Sequence, residues 1–62
     1  MRLSLAEARR LRGRRQKDLA DVLGVIQTYR KMELNPELIK IKDARIISEY
    51  LEIPLENLRF TL

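Results

Sequence analysis

The sequence predicts an all-α domain, folded as a compact bundle of five short helices. In each of five segments, apolar residues recur every three or four positions, as on one face of a helix. Glycine or proline separates these segments, and no stretch alternates between apolar and polar residues as a strand does. The chain has 62 residues, enough for a single domain spanning residues 1–62 around a small core.

The first two helices have recognisable ends. Ser4 followed by Glu7 fits a capping box, so the first helix is predicted at about Leu5–Arg12, and Gly13 supplies the left-handed residue that ends it. The second helix starts near Gln16 and is stopped by Gly24. Its apolar face is formed by Leu19, Ala20 and Leu23.

A third short helix follows, because Ile26, Tyr29 and Met32 recur every three residues. It ends before Asn35–Pro36, since the residue before a proline is pushed out of the helical region. Residues 36–40 are predicted as a connecting loop. The longest helix opens at Ile41 or Lys42, and its inward face is formed by Ala44, Ile47, Ser48 and Leu51, flanked by Ile46 and Tyr50.

Pro54 begins a last turn of helix, which leads into an apolar C-terminal stretch. This stretch either forms a surface for a second copy of the chain or folds back over its own core, and the pattern favours neither. Its members are Leu55, Leu58, Phe60 and Leu62.

The charge is unevenly distributed. Residues 1–31 carry nine basic and three acidic side chains, a net charge of +6, whereas residues 32–62 carry four basic and six acidic ones, a net charge of −2. A basic half backed by a mildly acidic half indicates a surface that faces a polyanion, although a solvated, arginine-rich helix end would give the same pattern.

Several functional classes are not favoured by the composition. The chain has no cysteine and no histidine, and it has no glycine-rich phosphate loop or evident carboxylate pair, so neither an enzyme nor a metal or cofactor site is expected. No apolar run approaches the ~20 residues that span a bilayer, and the N-terminus is charged too early for a secretory signal. We therefore expect a soluble protein of the cytoplasm, with no membrane partner and no small-molecule ligand.

The segment from Gln16 to Glu33 has the layout of a helix-turn-helix. Two helices that cross steeply need a small residue where they touch, and Ala20 is that residue. The turn between them needs a residue with positive φ, and Gly24 adopts it without steric cost. Apolar anchors at Tyr29 and Met32 leave the other face of the third helix free for a DNA groove.

These residues resemble the Cro/C1-type, XRE-like helix-turn-helix family of phage repressors and small bacterial regulators, and the resemblance covers almost the whole chain. It implies the five-helix, lambda-repressor-like fold. One departure is that Glu33 follows Gly24 by nine residues, where the family usually has ten, and Ile26 stands where a capping serine or threonine is usual. The positions that match are Arg9, Gly13, Gln16, Leu19, Ala20, Leu23, Gly24, Val25, Glu33, Asn35, Pro36 and the closing residues 51–58.

The recognition helix is expected to present Gln27, Thr28, Arg30 and Lys31 to base edges, since Tyr29 and Met32 point inward. Gln27 suits an adenine edge and Thr28 a thymine methyl group or a phosphate. Arg30 or Lys31 suits guanine, and the alternative for both is contact with phosphates alone.

The resemblance implies that Gln16 bonds a DNA phosphate at the start of the second helix, where the helix dipole also favours an anion. Arg15 is a poor helix cap but well placed for a phosphate, and further phosphate contacts are expected from Arg14, Lys17, Lys40 and Lys42. The family pattern also pairs Arg9 with Glu33 in a largely buried ion pair that orients the recognition helix.

The function that follows is a transcriptional regulator, a Cro-like or prophage repressor, that binds a double-stranded DNA operator as a homodimer. The alternative from another class is an antitoxin-type module of the same fold that binds a protein.

Overall fold

The computed structural model describes residues 2–60, and the helices lie within this range. Four α-helices follow one another: α1 at Leu5–Leu11, α2 at Gln16–Leu23, α3 at Tyr29–Leu34 and α4 at Ile41–Leu51. Two 3₁₀ helices lie at Pro36–Leu38 and Leu55–Asn57. The all-α prediction is confirmed, but the prediction of five helices is wrong by one, because the last turn closes with 3₁₀ bonds over only three residues.

The start of α1 is fixed by a reciprocal pair of hydrogen bonds. The Ser4 hydroxyl accepts from the Glu7 amide at 3.2 Å, and the Ser4 amide donates to the Glu7 carboxylate at 2.8 Å. The hydrogen bond from the Ser4 backbone lowers the pKa of Glu7. Gly13 follows the helix with φ +69°, in the left-handed region.

Helices α2 and α4 end in the same way, with a left-handed residue and a pair of backbone hydrogen bonds that satisfy the last carbonyls. After α2 this residue is Gly24 (φ +69°), and the Val25 amide donates to the Ala20 carbonyl at 3.0 Å. After α4 it is Glu52 (φ +56°), the one non-glycine residue with positive φ in the described chain. A side chain at such a position costs roughly 1–2 kcal/mol, so α4 ends at a strained residue.

The core lies where α2 packs against α3 and α4, and it is closed by α1 and the C-terminal stretch. Its ten members are Leu5, Ala8, Leu19, Ala20, Tyr29, Met32, Ile47, Leu51, Ile53 and Leu58. Leu3 and Leu58 form an isolated parallel β-bridge, in which the Leu3 amide donates to Asn57 and the Arg59 amide donates to Leu3, at 2.8 and 2.7 Å. This bridge ties the beginning of the fold to its end.

Candidate nucleic-acid interface

The connection between α2 and α3 is longer than a helical start at Ile26 would make it. The Val25 carbonyl accepts from the amides of both Thr28 and Tyr29 at 3.0 Å, and α3 begins only at Tyr29. No side chain caps α3, as the replacement of the usual capping residue by Ile26 implies. The periodicity that placed Ile26 inside with Tyr29 and Met32 is therefore wrong, because Ile26 lies in the turn with 72% of its surface exposed.

Two large apolar side chains hold α3 onto the body of the protein. Tyr29 is 1% exposed and Met32 3% exposed, and both belong to the core. The four residues predicted to meet bases are all exposed. However, only Arg30 and Lys31 belong to α3, whereas Gln27 and Thr28 precede it, because α3 begins at Tyr29.

Arg9 of α1 and Glu33 of α3 form an ion pair with little exposure to solvent. Arg9 Nε lies 2.7 Å from one carboxylate oxygen of Glu33 and Nη2 lies 3.4 Å from the other, and the side chains are 11% and 8% exposed. A third donor, Arg9 Nη1, reaches the Arg14 carbonyl at 3.0 Å. The pair joins the first helix to the end of α3, with the planar geometry that suits a guanidinium and a carboxylate.

The pKa of Glu33 is affected more by its hydrogen-bonded neighbours than by its burial. Burial alone raises the pKa of Glu33, but hydrogen bonds from its neighbours, Arg9 first, lower it overall. The hydrogen bond to Glu33 in turn raises the pKa of Arg9. The Tyr29 hydroxyl lies next to the pair without a hydrogen-bond partner among the described residues, and burial, followed by the nearby Glu33 carboxylate, raises its pKa. Both members of the pair are therefore ionised across the neutral pH range.

Gln16 extends this network to the start of α2. Its amide nitrogen donates to Glu33 at 3.0 Å, a contact that the sequence reasoning did not anticipate. The amide group keeps a second N–H and its oxygen for another partner, since only one of its two donors is used. Gln16 is half-buried, so it both ties α2 to α3 and reaches the surface.

The five basic residues expected at phosphates are all exposed. The side chain of Arg15 is 83% exposed, and its Nε lies 3.8 Å from the carboxylate of Asp18. The guanidinium of Arg14 lies 5.2 Å from the ring centre of Tyr50, a cation–π distance that fixes its position. Lys40 and Lys42 border a hollow of about 400 Å³ that also reaches Gly24 and Thr28.

Arg12 has a role that the sequence reasoning missed. Its guanidinium donates to the carbonyls of Leu51 and Glu52, at 2.8 and 3.1 Å, across the C-terminal end of α4. A cation at this end of a helix meets unpaired carbonyls and the negative pole of the helix dipole. No local pattern signals a contact between residues 39 positions apart in the chain.

The stretch expected either to serve a dimer or to cover the core is partly buried and partly exposed. Leu58 is 4% exposed and lies in the core beside the bridge to Leu3, so at this residue the chain folds back on itself and offers no dimer surface. Phe60 is half-buried against the core, whereas Leu55 is 43% exposed. Leu62 lies outside the described residues.

Residues 2–60 hold neither a cluster of metal-ligating side chains nor a membrane-spanning helix. No group of three or more acidic side chains is close enough to hold a metal ion there. Over the same range, every helix is too short or too polar to traverse a lipid bilayer.

A family model described as helix-turn-helix matches residues 5–58, from the first residue of α1 to the residue of the closing β-bridge. Comparison with curated proteins and with solved structures gives no significant match. The family match supports a DNA-binding function of the transcription-regulator type. The chain therefore belongs to the Cro/C1-type, XRE-like helix-turn-helix family.

Proposed function

We propose that this protein is a sequence-specific regulator of transcription, a repressor of the Cro or prophage type, that inserts α3 and the turn before it into the major groove of its operator. The observation that carries the proposal is the two-sided character of this segment. Tyr29 and Met32 anchor one side in the core, and the four exposed polar residues Gln27, Thr28, Arg30 and Lys31 occupy the other.

The orientation of α3 is held from three directions, as base recognition requires. Arg9 fixes its last turn from α1, Gln16 fixes the same carboxylate from α2, and the doubly accepting Val25 carbonyl fixes its first turn. A side chain misplaced by about 1 Å loses most of a bidentate base contact, so a rigid mounting supports sequence-specific binding.

The division between base and phosphate contacts follows the position of each group. Gln27 and Thr28 lie at the start of the recognition segment, the part that meets base edges in this type of motif. Arg15 and Lys17 lie at the start of α2, where exposed cations and free amides suit a phosphate. The second amide N–H of Gln16 is available to the same phosphate. Lys40 and Lys42 extend this contact line along the DNA backbone.

The proposed regulator acts as a homodimer on two half-sites about one helical turn apart, in the cytoplasm of a bacterial cell. One module of this size covers little DNA, and two copies are needed for a useful operator affinity. Light scattering of the free protein and of its complex with a palindromic site tests the stoichiometry, and a single copy bound to the palindrome contradicts the dimer.

Selection from a random DNA library tests the proposal as a whole. The wild-type protein is expected to enrich one motif, and Gln27→Ala is expected to relax the preference at one position of each half-site. Lys17→Ala should instead weaken binding to all sequences alike. Arg45→Ala, which removes an exposed charge from α4, is the matched control and leaves the motif unchanged. Enrichment of no motif, with binding that vanishes at moderate salt, contradicts specific regulation.

A further inference from the structure

Ile26 is an exposed apolar residue in the middle of the proposed DNA-binding surface. With 72% of its surface exposed, it is the most exposed large apolar residue between Gln16 and Glu33, where only Val22 (38%) is also exposed. It directly precedes Gln27, at the corner where the chain turns from α2 into α3. No core contact accounts for an isoleucine at this corner.

The surroundings of Ile26 combine apolar side chains with positive charge. Ile26 borders a hollow of about 210 Å³ between α2 and α3. The lining includes two cations, Lys17 and Arg30, and no acidic side chain. The half-buried amide of Gln16 lies at the same hollow. An apolar side chain framed by cations and an amide is suited to the major groove, where phosphates flank the base edges.

An isoleucine side chain has no hydrogen-bond donor or acceptor, so it recognises only an apolar group. In the major groove that group is the C5-methyl of thymine, which cytosine lacks. We infer that Ile26 is a specificity-determining residue that packs on a C5-methyl pyrimidine of the operator, an inference that rests on the proposed function. It adds a contact to those expected from Gln27 and Thr28. It also means that a C5-methylated cytosine at this position satisfies Ile26 as thymine does.

The test replaces single thymines by uracil in the site that the wild-type protein selects, since this change removes only the methyl group. Wild-type protein is expected to lose about fourfold in affinity at one thymine of each half-site, the value of one buried methyl-sized group. Ile26→Ala should bind the thymine and uracil sites equally. Leu11→Ala, which shortens an exposed apolar residue of α1, should keep the wild-type preference. Circular dichroism checks that Ile26→Ala remains folded, as expected for an exposed site.

A site in which cytosine replaces that thymine supplies a second test: a C5-methyl group on this cytosine should strengthen binding by the wild-type protein and leave binding by Ile26→Ala unchanged. Equal losses from uracil in the wild-type protein and in Ile26→Ala, or no loss at any thymine, overturn the role of Ile26. If a motif is enriched without a methyl effect, only this inference fails. If no motif is enriched, the proposed function fails and the inference fails with it.

Discussion

Replacing Arg9 by methionine tests the contact that joins α1 to the end of α3. Methionine is close to arginine in the length of its apolar stem but carries no charge. The change removes the two hydrogen bonds to Glu33 and the third to the Arg14 carbonyl. The Glu33 side chain, which is 8% exposed, then keeps the amide of Gln16 as a hydrogen-bond donor.

The expected loss of stability has an upper limit set by protonation of Glu33. Removing one member of a buried ion pair costs about 3–5 kcal/mol. The stranded carboxylate can instead take up a proton, and at pH 7 this costs about 3.4 kcal/mol for a group with an ordinary pKa near 4.5. The lost bond to Arg14 adds about 1 kcal/mol. The total of roughly 4 kcal/mol is a large share of the about 3–9 kcal/mol expected for 62 residues.

Urea unfolding followed by circular dichroism at pH 7 measures this loss. Arg10→Met, at the next and exposed position of α1, is the control and should cost less than about 0.5 kcal/mol. If Arg9→Met prevents folding, the double variant Arg9→Met with Glu33→Leu should recover stability by removing the stranded charge. Equal unfolding free energies for Arg9→Met and Arg10→Met would refute the reasoning.

Further predictions concern the helix ends and pH. Arg12→Ala should lower the unfolding free energy by about 1–2 kcal/mol, because two carbonyls at the end of α4 lose their donor; Arg10→Ala should cost less in the same urea titration. Gly24→Ala should cost about 1 kcal/mol through backbone strain alone, since nothing lies within 4 Å of the added carbon. Glu52→Gly at the matching position of α4 should instead stabilise slightly, and a loss of more than 1 kcal/mol there would contradict the strain argument. The pKa of Glu33 is lower in the folded state than in the unfolded state. Its ionised form therefore contributes fully to the free energy of unfolding above the unfolded pKa near 4.5, and this contribution is lost as the pH falls through the lower, folded pKa. Melting temperatures between pH 7 and pH 3 should therefore fall less steeply for Glu33→Gln than for the wild-type protein.

Elements with a local signal were predictable from the sequence. The reciprocal hydrogen bonds of Ser4 and Glu7 depend on residues three positions apart. The positive φ at the end of α2 was predictable because the residue there is glycine. The membership of the helix-turn-helix family, inferred from Gln16, Ala20 and Gly24 within a helical pattern, is confirmed by the family match over residues 5–58.

Features that depend on tertiary placement were not predictable. The hydrogen bonds from Arg12 to the end of α4 join positions that are far apart in the chain. An arginine near a helix end can equally well contact solvent, a carboxylate or another carbonyl, so the sequence does not indicate this contact. The strained end at Glu52 has no sequence signal, because glycine normally marks such a position. At Ile26 the three-residue periodicity was misleading, because residues 26–28 form a turn before α3 begins at Tyr29, so the first apolar residue of the pattern lies outside the helix.

The bridge between Leu3 and Leu58 has a consequence for how this domain combines with others. Its hydrogen bonds place the first and last backbone segments of the fold side by side. Because the ends are adjacent, the domain can be inserted into a loop of a host protein without moving the two sides of that loop far apart. For the same reason a short linker is enough to join the ends in a circular permutation. The helix-turn-helix lies between these ends and is held by Arg9 of α1, so the unit that transfers between longer polypeptides is the whole domain.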